Sequence, residues 1–169
     1  VFQSWADIPI TENYIKQLHQ LVVGNDPYLN AGNYRNVGVV ITGSEHTPPE
    51  PFEVPFKMQE LMDWLNENFD EENPIVLAAV AHHEMAKIHP FADGNGRTAR
   101  LLLNLILLKK GYPICSIKRT ERPRYYEAMS EADSGNYHQI IEMVAESSAE
   151  LFAVYVRIRE ETNRKTQFA

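Results

Sequence analysis

Two apolar stretches lie on either side of a short polar segment, and this arrangement constrains the fold more than any other feature of the chain. Residues 75–88 and 101–108 consist largely of apolar side chains. The first stretch is apolar nearly all round a helix, which is the pattern of a buried helix. The segment between them, residues 89–100, contains a histidine, an aspartate, two glycines and two arginines. We therefore expect two core helices joined by a polar turn.

The residue types of this turn suit the binding of a phosphate chain. Gly94 and Gly96 let backbone N–H groups approach an anion closely, where a Cβ would obstruct. A helix that begins near Asn95 points its first N–H groups and its positive dipole end at the same anion. Arg97 and Arg100 share one helix face, and guanidinium groups pair well with phosphate oxygens. The turn is therefore predicted to bind a polyphosphate.

Two further side chains of the segment can supply chemistry. Asp93 precedes the second helix, so it can cap that helix or hold Mg²⁺, which usually takes one or two carboxylates plus substrate phosphates. His89 ends the first helix, and the near-neutral pKa of an imidazole suits a general base. His82 lies two turns earlier on the same face and is predicted to be structural. A zinc-protease pattern is excluded, because its second histidine would fall at Lys87.

Residues 89–100 read His-Pro-Phe-Ala-Asp-Gly-Asn-Gly-Arg-Thr-Ala-Arg. They match every fixed position of H-x-F-x-[D/E]-G-N-G-R-x-x-R, and on this string the chain resembles the Fic family, from about Tyr34 to about Glu150. The resemblance implies an all-α fold, a Fic-type helical bundle with a short β-hairpin flap. We expect one domain over residues 1–169: an arm and helix at 1–33, a core at 34–150, and a helix end and tail at 151–169.

The resemblance implies a protein adenylyltransferase, which moves AMP from ATP to a Tyr, Thr or Ser hydroxyl of a target protein and uses Mg²⁺. His89 would be the catalytic base and Asp93 the metal ligand. The other implied positions bind the nucleotide: Gly94, Asn95, Gly96, Arg97 and Arg100 at the phosphates, Thr42 and Gly43 over the nucleotide, and Tyr125, Tyr126 and Asp133 at the adenine. The family carries Asn where this chain has Asp133, and an ionised Asp cannot donate to a ring nitrogen.

The flap is predicted at about residues 37–45. Val37, Val39 and Ile41 alternate with their neighbours, and a turn follows at Thr42–Glu45. In the family this hairpin pairs with the backbone of the target protein as an added strand. We therefore expect the target protein to dock along the flap.

The resemblance also implies an inhibitory helix with the pattern [S/T]-x-x-x-E-[G/N], which this chain lacks. We expect that helix upstream of Val1 or on a separate protein, and the chain to be a derepressed core. Family members often pair, which leaves a homodimer open.

Composition limits the partners and the compartment. A net charge of −7 argues against a general nucleic-acid surface. No signal peptide or membrane-spanning segment is apparent. The one cysteine, Cys115, cannot form an internal disulfide and fits a reducing compartment. We therefore expect a cytoplasmic protein that binds neither nucleic acid nor membranes.

Two alternative functions stay open from the sequence. The first is transfer of another phosphate-containing group, such as phosphate, UMP or phosphocholine, because the same histidine chemistry serves when the donor is placed differently. The related Doc-type kinases carry Ala-Asn-Lys or similar in place of Gly-Asn-Gly, so the sequence favours nucleotidyl transfer. The second alternative is a nucleotide-binding module that is catalytically idle.

Outside the motif, hydrophobic periodicity predicts the remaining helices. They are expected over residues 12–23, 54–68, 75–88, 98–110 and 120–132, with a last apolar stripe that reaches Arg159.

Overall fold

The computed structural model describes residues 9–24 and 29–166. Its elements are α1 (Glu12–Val23), α2 (Val54–Asn68), α3 (Pro74–Ile88), α4 (Asn95–Lys109), a 3₁₀ turn (Arg119–Glu121), α5 (Arg122–Asp133) and α6 (His138–Thr166). These residues contain no β-strand, so the described fold is all-α as predicted. The irregular arm predicted for residues 1–9 lies almost wholly outside them.

Local sequence explains where several of these helices begin. Thr11 caps α1, because its hydroxyl oxygen accepts a hydrogen bond of 3.2 Å from the N–H of Tyr14. Asn73 caps α3 in the same way, with 2.9 Å between its Oδ1 and the N–H of Ile75, and Pro74 occupies the first helical position. The predicted bounds of α1 and α2 are confirmed, and those of α3 are confirmed to within one residue.

The centre of the bundle is the pair α3 and α4. Helix α3 packs against α2, α4, α5 and α6, and α1 packs against α4. Many apolar side chains of this pair are fully buried, among them Leu77, Met85, Leu102, Ile106 and Leu107. Phe91, in the turn between the two helices, is also fully buried. The turn is therefore anchored in the core, as the sequence predicted.

The prediction of a β-hairpin flap is wrong for this structure. Residues 37–50 form an irregular excursion, with a turn in which the N–H of Ser44 donates to the carbonyl of Ile41 at 3.1 Å. Two features oppose a strand ladder here. Pro48 and Pro49 have no N–H to donate, and a side chain, that of Arg35, already binds the carbonyls of Val37 and Pro49.

Helix α6 is longer than predicted. It runs for 29 residues, to Thr166, and is exposed over most of its length beyond Leu151. In the part of the chain that the structure describes, no helix is both long enough and apolar enough to cross a lipid bilayer.

Candidate active site

His89 is the residue at which α3 ends, and its ring has a defined hydrogen bond. Its backbone adopts the left-handed conformation, with φ 52° and ψ 57°, and its N–H donates to the carbonyl of Met85 at 3.2 Å. The ring Nδ1 lies 3.1 Å from the carbonyl oxygen of Ala86. Because a carbonyl can only accept, Nδ1 must carry the proton. The other ring nitrogen, Nε2, is then an unprotonated acceptor in the neutral imidazole.

The surroundings of His89 favour this neutral form. Burial lowers the pKa of the imidazole from its ordinary value of 6.5. The hydrogen bond to Ala86 and the charge of Asp93 oppose the lowering of this pKa, whereas the charge of Arg35 and the nearby His46 add to it. The net pKa lies below 6.5, so His89 is mostly neutral at pH 7 and able to take a proton.

The turn after His89 presents backbone amides at the start of α4. Gly94 precedes the helix with φ 78° and provides no side-chain cap. The N–H of Thr98 donates to the carbonyl of Gly94 at 2.9 Å, so the N–H groups of residues 95–97 precede the first intrahelical bond. Amides at the N-terminus of a helix are able to bind an anion, and these follow His89 closely in the chain.

The side chain of Asn95 shapes this turn from inside. It is 2 % exposed, its Oδ1 accepts from the N–H of Phe91 at 2.8 Å, and its Nδ2 donates to the carbonyl of Phe91 at 2.8 Å. Its amide group is therefore fully engaged by the turn. The role predicted for Asn95 at the phosphates would fall to its backbone N–H.

Asp93 and Arg97 form an ion pair at the mouth of the turn. The Nη2 of Arg97 lies 3.1 Å from Oδ2 of Asp93, and its Nη1 donates to the carbonyl of Val22 at the end of α1. Both side chains are more than half exposed. Arg100 is also exposed, one turn further along α4. Two guanidinium groups and one carboxylate thus reach solvent next to the helix terminus.

The exposed carboxylate of Asp93 fits Mg²⁺ as a single protein ligand. Across the described residues there is no group of three or more His, Cys, Asp or Glu side chains that could hold a metal ion on its own. Magnesium is commonly held by one or two carboxylates together with substrate phosphates. The donor set therefore suits a metal that arrives with a phosphate ligand.

Helix α1 supports the turn through His19, a residue that the sequence analysis did not select. The ring of His19 is fully buried and stacks on Phe91, with 3.7 Å between the ring centroids and 5° between the planes. Its Nε2 donates to the carbonyl of Asp93 at 3.0 Å, and its Nδ1 accepts from the N–H of Gly32 at 2.9 Å. One side chain thus fixes both the backbone of Asp93 and the ring of Phe91.

The flap segment is attached to the end of α3 by two further side chains that sequence reasoning missed. Arg35 donates from Nε to the carbonyl of His89 at 2.8 Å. His46 donates from Nε2 to the carbonyl of Lys87 at 3.1 Å. The predicted contact residues Thr42 and Gly43 are exposed at the turn of the flap, and the hydrogen bonds described for the flap do not bring them to residues 89–100.

The two tyrosines predicted at the adenine end differ in their exposure. Tyr125 is 9 % exposed, and its hydroxyl lies 2.9 Å from Nε2 of the fully buried His82. Tyr126 is 58 % exposed, with its ring centroid 5.5 Å from that of Tyr125. Arg100 is close enough to His82 and Tyr125 to affect the pKa of each. The structural role predicted for His82 is confirmed, and Tyr126 is the ring that a ligand can reach.

Asp133 is held by a buried histidine. Its Oδ1 lies 3.0 Å from Nε2 of His83, and the Nδ1 of His83 lies 3.1 Å from Oε1 of Glu84. The hydroxyl of Tyr137 donates to the same Glu84 oxygen at 2.6 Å. The carboxylate of Asp133 is about three-quarters buried and already has a donor. This leaves part of its acceptor capacity for a ligand.

A separate groove of about 840 Å³ lies between α2 and α3. Its lining includes Leu61, Trp64, Val76, Val80 and Ile88, and it ends at His46, Thr47 and Pro49 of the flap. Neither His89 nor the amides of the turn line this groove. His89 and the turn that follows it therefore lie outside this groove.

Fold and site together define an all-α domain in which a turn between two core helices combines an anion-binding helix terminus with a neutral histidine. The sequence model of the Fic/DOC family matches residues 9–107. The chain belongs to the Fic/DOC family.

Named relatives agree with this assignment. The chain is 38 % identical over 148 residues to "Protein adenylyltransferase Fic" of Nematostella vectensis, covering 87 % of this chain and 34 % of that protein. It is 35 % identical over 150 residues to the protein of that name from Drosophila willistoni, covering 88 % and 30 %. The structure of Fic-1 (aa134–508) from C. elegans matches with a TM-score of 0.80 and 34 % identity, covering 90 % of this chain and 45 % of that one. The chain thus spans about a third of the length of these curated relatives.

Proposed function

We propose that this chain transfers AMP from ATP to a hydroxyl group of a target protein, the activity in the names of its relatives. The observation that carries this proposal is the ring of His89. Its Nδ1–H is bound by the carbonyl of Ala86, which leaves Nε2 as the unprotonated acceptor. His89 lies six residues before the start of α4 and is close enough to Asp93 for that charge to affect its pKa. A base next to an anion-binding terminus is what hydroxyl attack on a phosphate requires.

In the proposed reaction, Nε2 of His89 takes the proton of the target hydroxyl as the hydroxyl oxygen attacks the α-phosphorus of ATP. The bond from that phosphorus to the oxygen bridging to the β-phosphate breaks, and pyrophosphate leaves. The amides of residues 95–97 donate to the oxygens of the α-phosphate, where charge develops. Arg97 and Arg100 bind the β- and γ-phosphates. Asp93 would hold Mg²⁺, which when bound would neutralise part of the negative charge of the phosphates.

At the other end of the nucleotide, the adenine would lie against the exposed ring of Tyr126, with Asp133 accepting from its amino group. Stacking of a base on an aromatic side chain is tolerant of base identity. An acceptor at Asp133 favours a base that carries an amino group. Adenine fits both conditions.

The target protein is proposed to dock along residues 37–45. Val37 and Val40 are 57 % and 86 % exposed, and no strand in the described residues pairs with this segment. Its backbone is therefore open to an added strand from another protein, which is a common mode of peptide recognition. On this proposal residues 37–45 become a strand only when they pair with the target, and not with a second strand of this chain.

The test is transfer of label from ATP to protein in a cell lysate with Mg²⁺. Label at the α-phosphate should appear on a target protein, and label at the γ-phosphate should not. We expect His89→Ala to lower the rate by about 10²–10⁴-fold, the usual loss for a general base, while ATP affinity is kept. His138→Ala, at an exposed histidine at the start of α6, is the matched control.

Three outcomes would contradict the proposal. Transfer of the γ-label would indicate a kinase, and unreduced transfer by the His89→Ala variant would remove the histidine from the mechanism. A folded chain that binds ATP but labels nothing in any lysate would indicate the idle module.

A further inference from the structure

Arg35 is a buried arginine whose side chain bonds only to backbone carbonyls among the described residues. It is 5 % exposed and forms no ion pair with them. Its Nε donates to the carbonyl of His89 at 2.8 Å, its Nη1 to that of Val37 at 3.1 Å, and its Nη2 to that of Pro49 at 2.5 Å. Its own N–H donates to the carbonyl of Pro90 at 2.9 Å.

These carbonyls belong to two parts of the site. His89 and Pro90 follow the last residue of α3. Val37 and Pro49 lie at the two ends of the irregular segment 37–50, which contains the flap. The planar guanidinium presents several donors in a fixed geometry, so one side chain can hold all three of its acceptors at once. Arg35 therefore links both ends of the flap to the backbone of the proposed base.

His89 has a particular need for such support. Its left-handed conformation costs roughly 1–2 kcal/mol for an L-residue, and the last carbonyls of a helix lack intrahelical partners. Two hydrogen bonds hold His89 in this conformation. Arg35 donates to the carbonyl of His89, and the ring of His89 donates to the carbonyl of Ala86. His46 binds the carbonyl of Lys87 nearby. The backbone at the end of α3 is thus held from the flap side, while the imidazole itself is held by the carbonyl of Ala86 in α3.

We propose that Arg35 is a positioning residue that fixes the imidazole of His89 and both ends of the flap as one unit. This role rests on the transfer reaction proposed above. It would keep a constant distance between Nε2 of His89 and the hydroxyl of a target protein that is docked on the flap. Arg35 touches no reacting atom. Its effect on rate is through geometry, where a displacement of about 1 Å can cost 10²-fold.

The first test compares Arg35→Lys with the unchanged chain. Lysine keeps the charge but replaces the planar guanidinium by a single ammonium group, so it cannot hold the three carbonyls together. We expect transfer to fall by about 10²-fold while ATP affinity stays within about threefold. The ¹⁵N resonances of the His89 ring should move from the pure Nδ1–H tautomer toward a mixture of tautomers.

The matched control is Asn104→Ala. Asn104 also joins two parts of the fold by paired bonds to one backbone, accepting from the N–H of Cys115 at 2.7 Å and donating to its carbonyl at 3.1 Å. Its loss should lower stability without changing the His89 resonances. Arg35→Gln serves as the second variant if the lysine is not tolerated, because it removes the buried charge and keeps an amide donor.

Transfer at the original rate by a folded Arg35 variant would overturn the positioning role. So would His89 resonances that are unchanged in that variant, or changed equally by Asn104→Ala. The ¹⁵N resonances of the His89 ring can be measured whether or not the chain transfers AMP. If the unchanged chain transfers no AMP, the proposed function fails, while the tautomer measurement still decides whether Arg35 orients His89.

Discussion

At the scale of single residues, the protonation of His89 sets the pH dependence of the proposed reaction. Burial lowers its pKa below 6.5, and the charge of Arg35 lowers it further. The neutral form acts as the base, so the rate should be level above pH 7 and fall as the pH drops below 6.5. A rate profile from pH 5 to 8.5 measures this. A midpoint above 6.5 would contradict it.

Gly94 allows a prediction that separates backbone strain from packing. Its φ is 78°, and an added Cβ would lie 2.8 Å from Cγ1 of Val23 on α1. Gly111 has a similar φ of 76° but nothing within 4 Å of such a Cβ. Gly111→Ala should cost only the strain, about 1–2 kcal/mol, and Gly94→Ala should cost 1–3 kcal/mol more for the clash.

Chemical denaturation of the two glycine variants measures the difference, and ATP titration tests its consequence. The Gly94 variant alone should bind ATP more weakly, because α1 and the turn are pushed apart. Equal losses of stability in the two variants would show that the packing of α1 against the turn is unimportant.

At the scale of elements, α1 supports the catalytic turn as well as the core. His19→Phe keeps a ring that can stack on Phe91 but removes the bonds to Asp93 and Gly32. A buried polar group that loses its partner costs about 1–3 kcal/mol. We therefore expect lower stability and weaker Mg²⁺-dependent binding of ATP, since the backbone of Asp93 is no longer held.

The contrasting variant is Cys115→Ser. Cys115 is a buried residue in the segment after α4, where its N–H donates to Asn104, and its replacement should leave binding of ATP unchanged. If His19→Phe loses stability to the same degree as that variant and still binds ATP with Mg²⁺ as tightly as the unchanged chain, α1 has no role in forming the site.

How far the sequence predicts these elements depends on the range of the interaction. Helices α1 and α2 have regular apolar periods, α1 has a side-chain cap at Thr11 and α2 has a proline in its first turn, and the bounds of both were predicted to the residue. The hairpin was wrong because alternation of apolar residues says nothing about a partner strand. Arg35 stands in no periodic pattern, so its bonds to residues 37, 49 and 89 could not be predicted. His19 did leave a signal, since it falls on the apolar face of α1 four residues after Ile15.

At the scale of the whole molecule, local sequence is enough to place the residues of the proposed phosphate end, whereas those of the proposed adenine end were predicted only through the family resemblance. His89, Asp93, Gly94 and Arg97 are consecutive or nearly so, and two predicted core helices fix where they lie. Asp133 is brought to the site by the packing of α5 against α3 and by its bond to His83. That contact joins residues 50 positions apart, and no local pattern encodes it.

The stability of the whole domain should depend on pH through His82. Burial lowers its pKa to about 4, against 6.5 in the unfolded chain. The unfolded state therefore binds the additional proton below pH 6.5, and the free energy of unfolding falls as the pH drops, by about 2 kcal/mol between pH 6.5 and 5. His19 and His89 act in the same direction. Above about pH 8 these histidines contribute almost no slope, because they are neutral in both states.

Denaturation at a series of pH values between 5 and 8 measures this slope. The His82→Gln variant should be less stable at pH 7, because glutamine makes a weaker contact with Tyr125. Because glutamine does not titrate, the variant should also lose less stability on acidification. His138→Gln, at an exposed position, should keep the slope of the unchanged chain. If stability falls with pH equally in the unchanged chain and in His82→Gln, His82 is protonated in the folded state. The neutral contact of His82 with Tyr125, next to Arg100, would then be wrong.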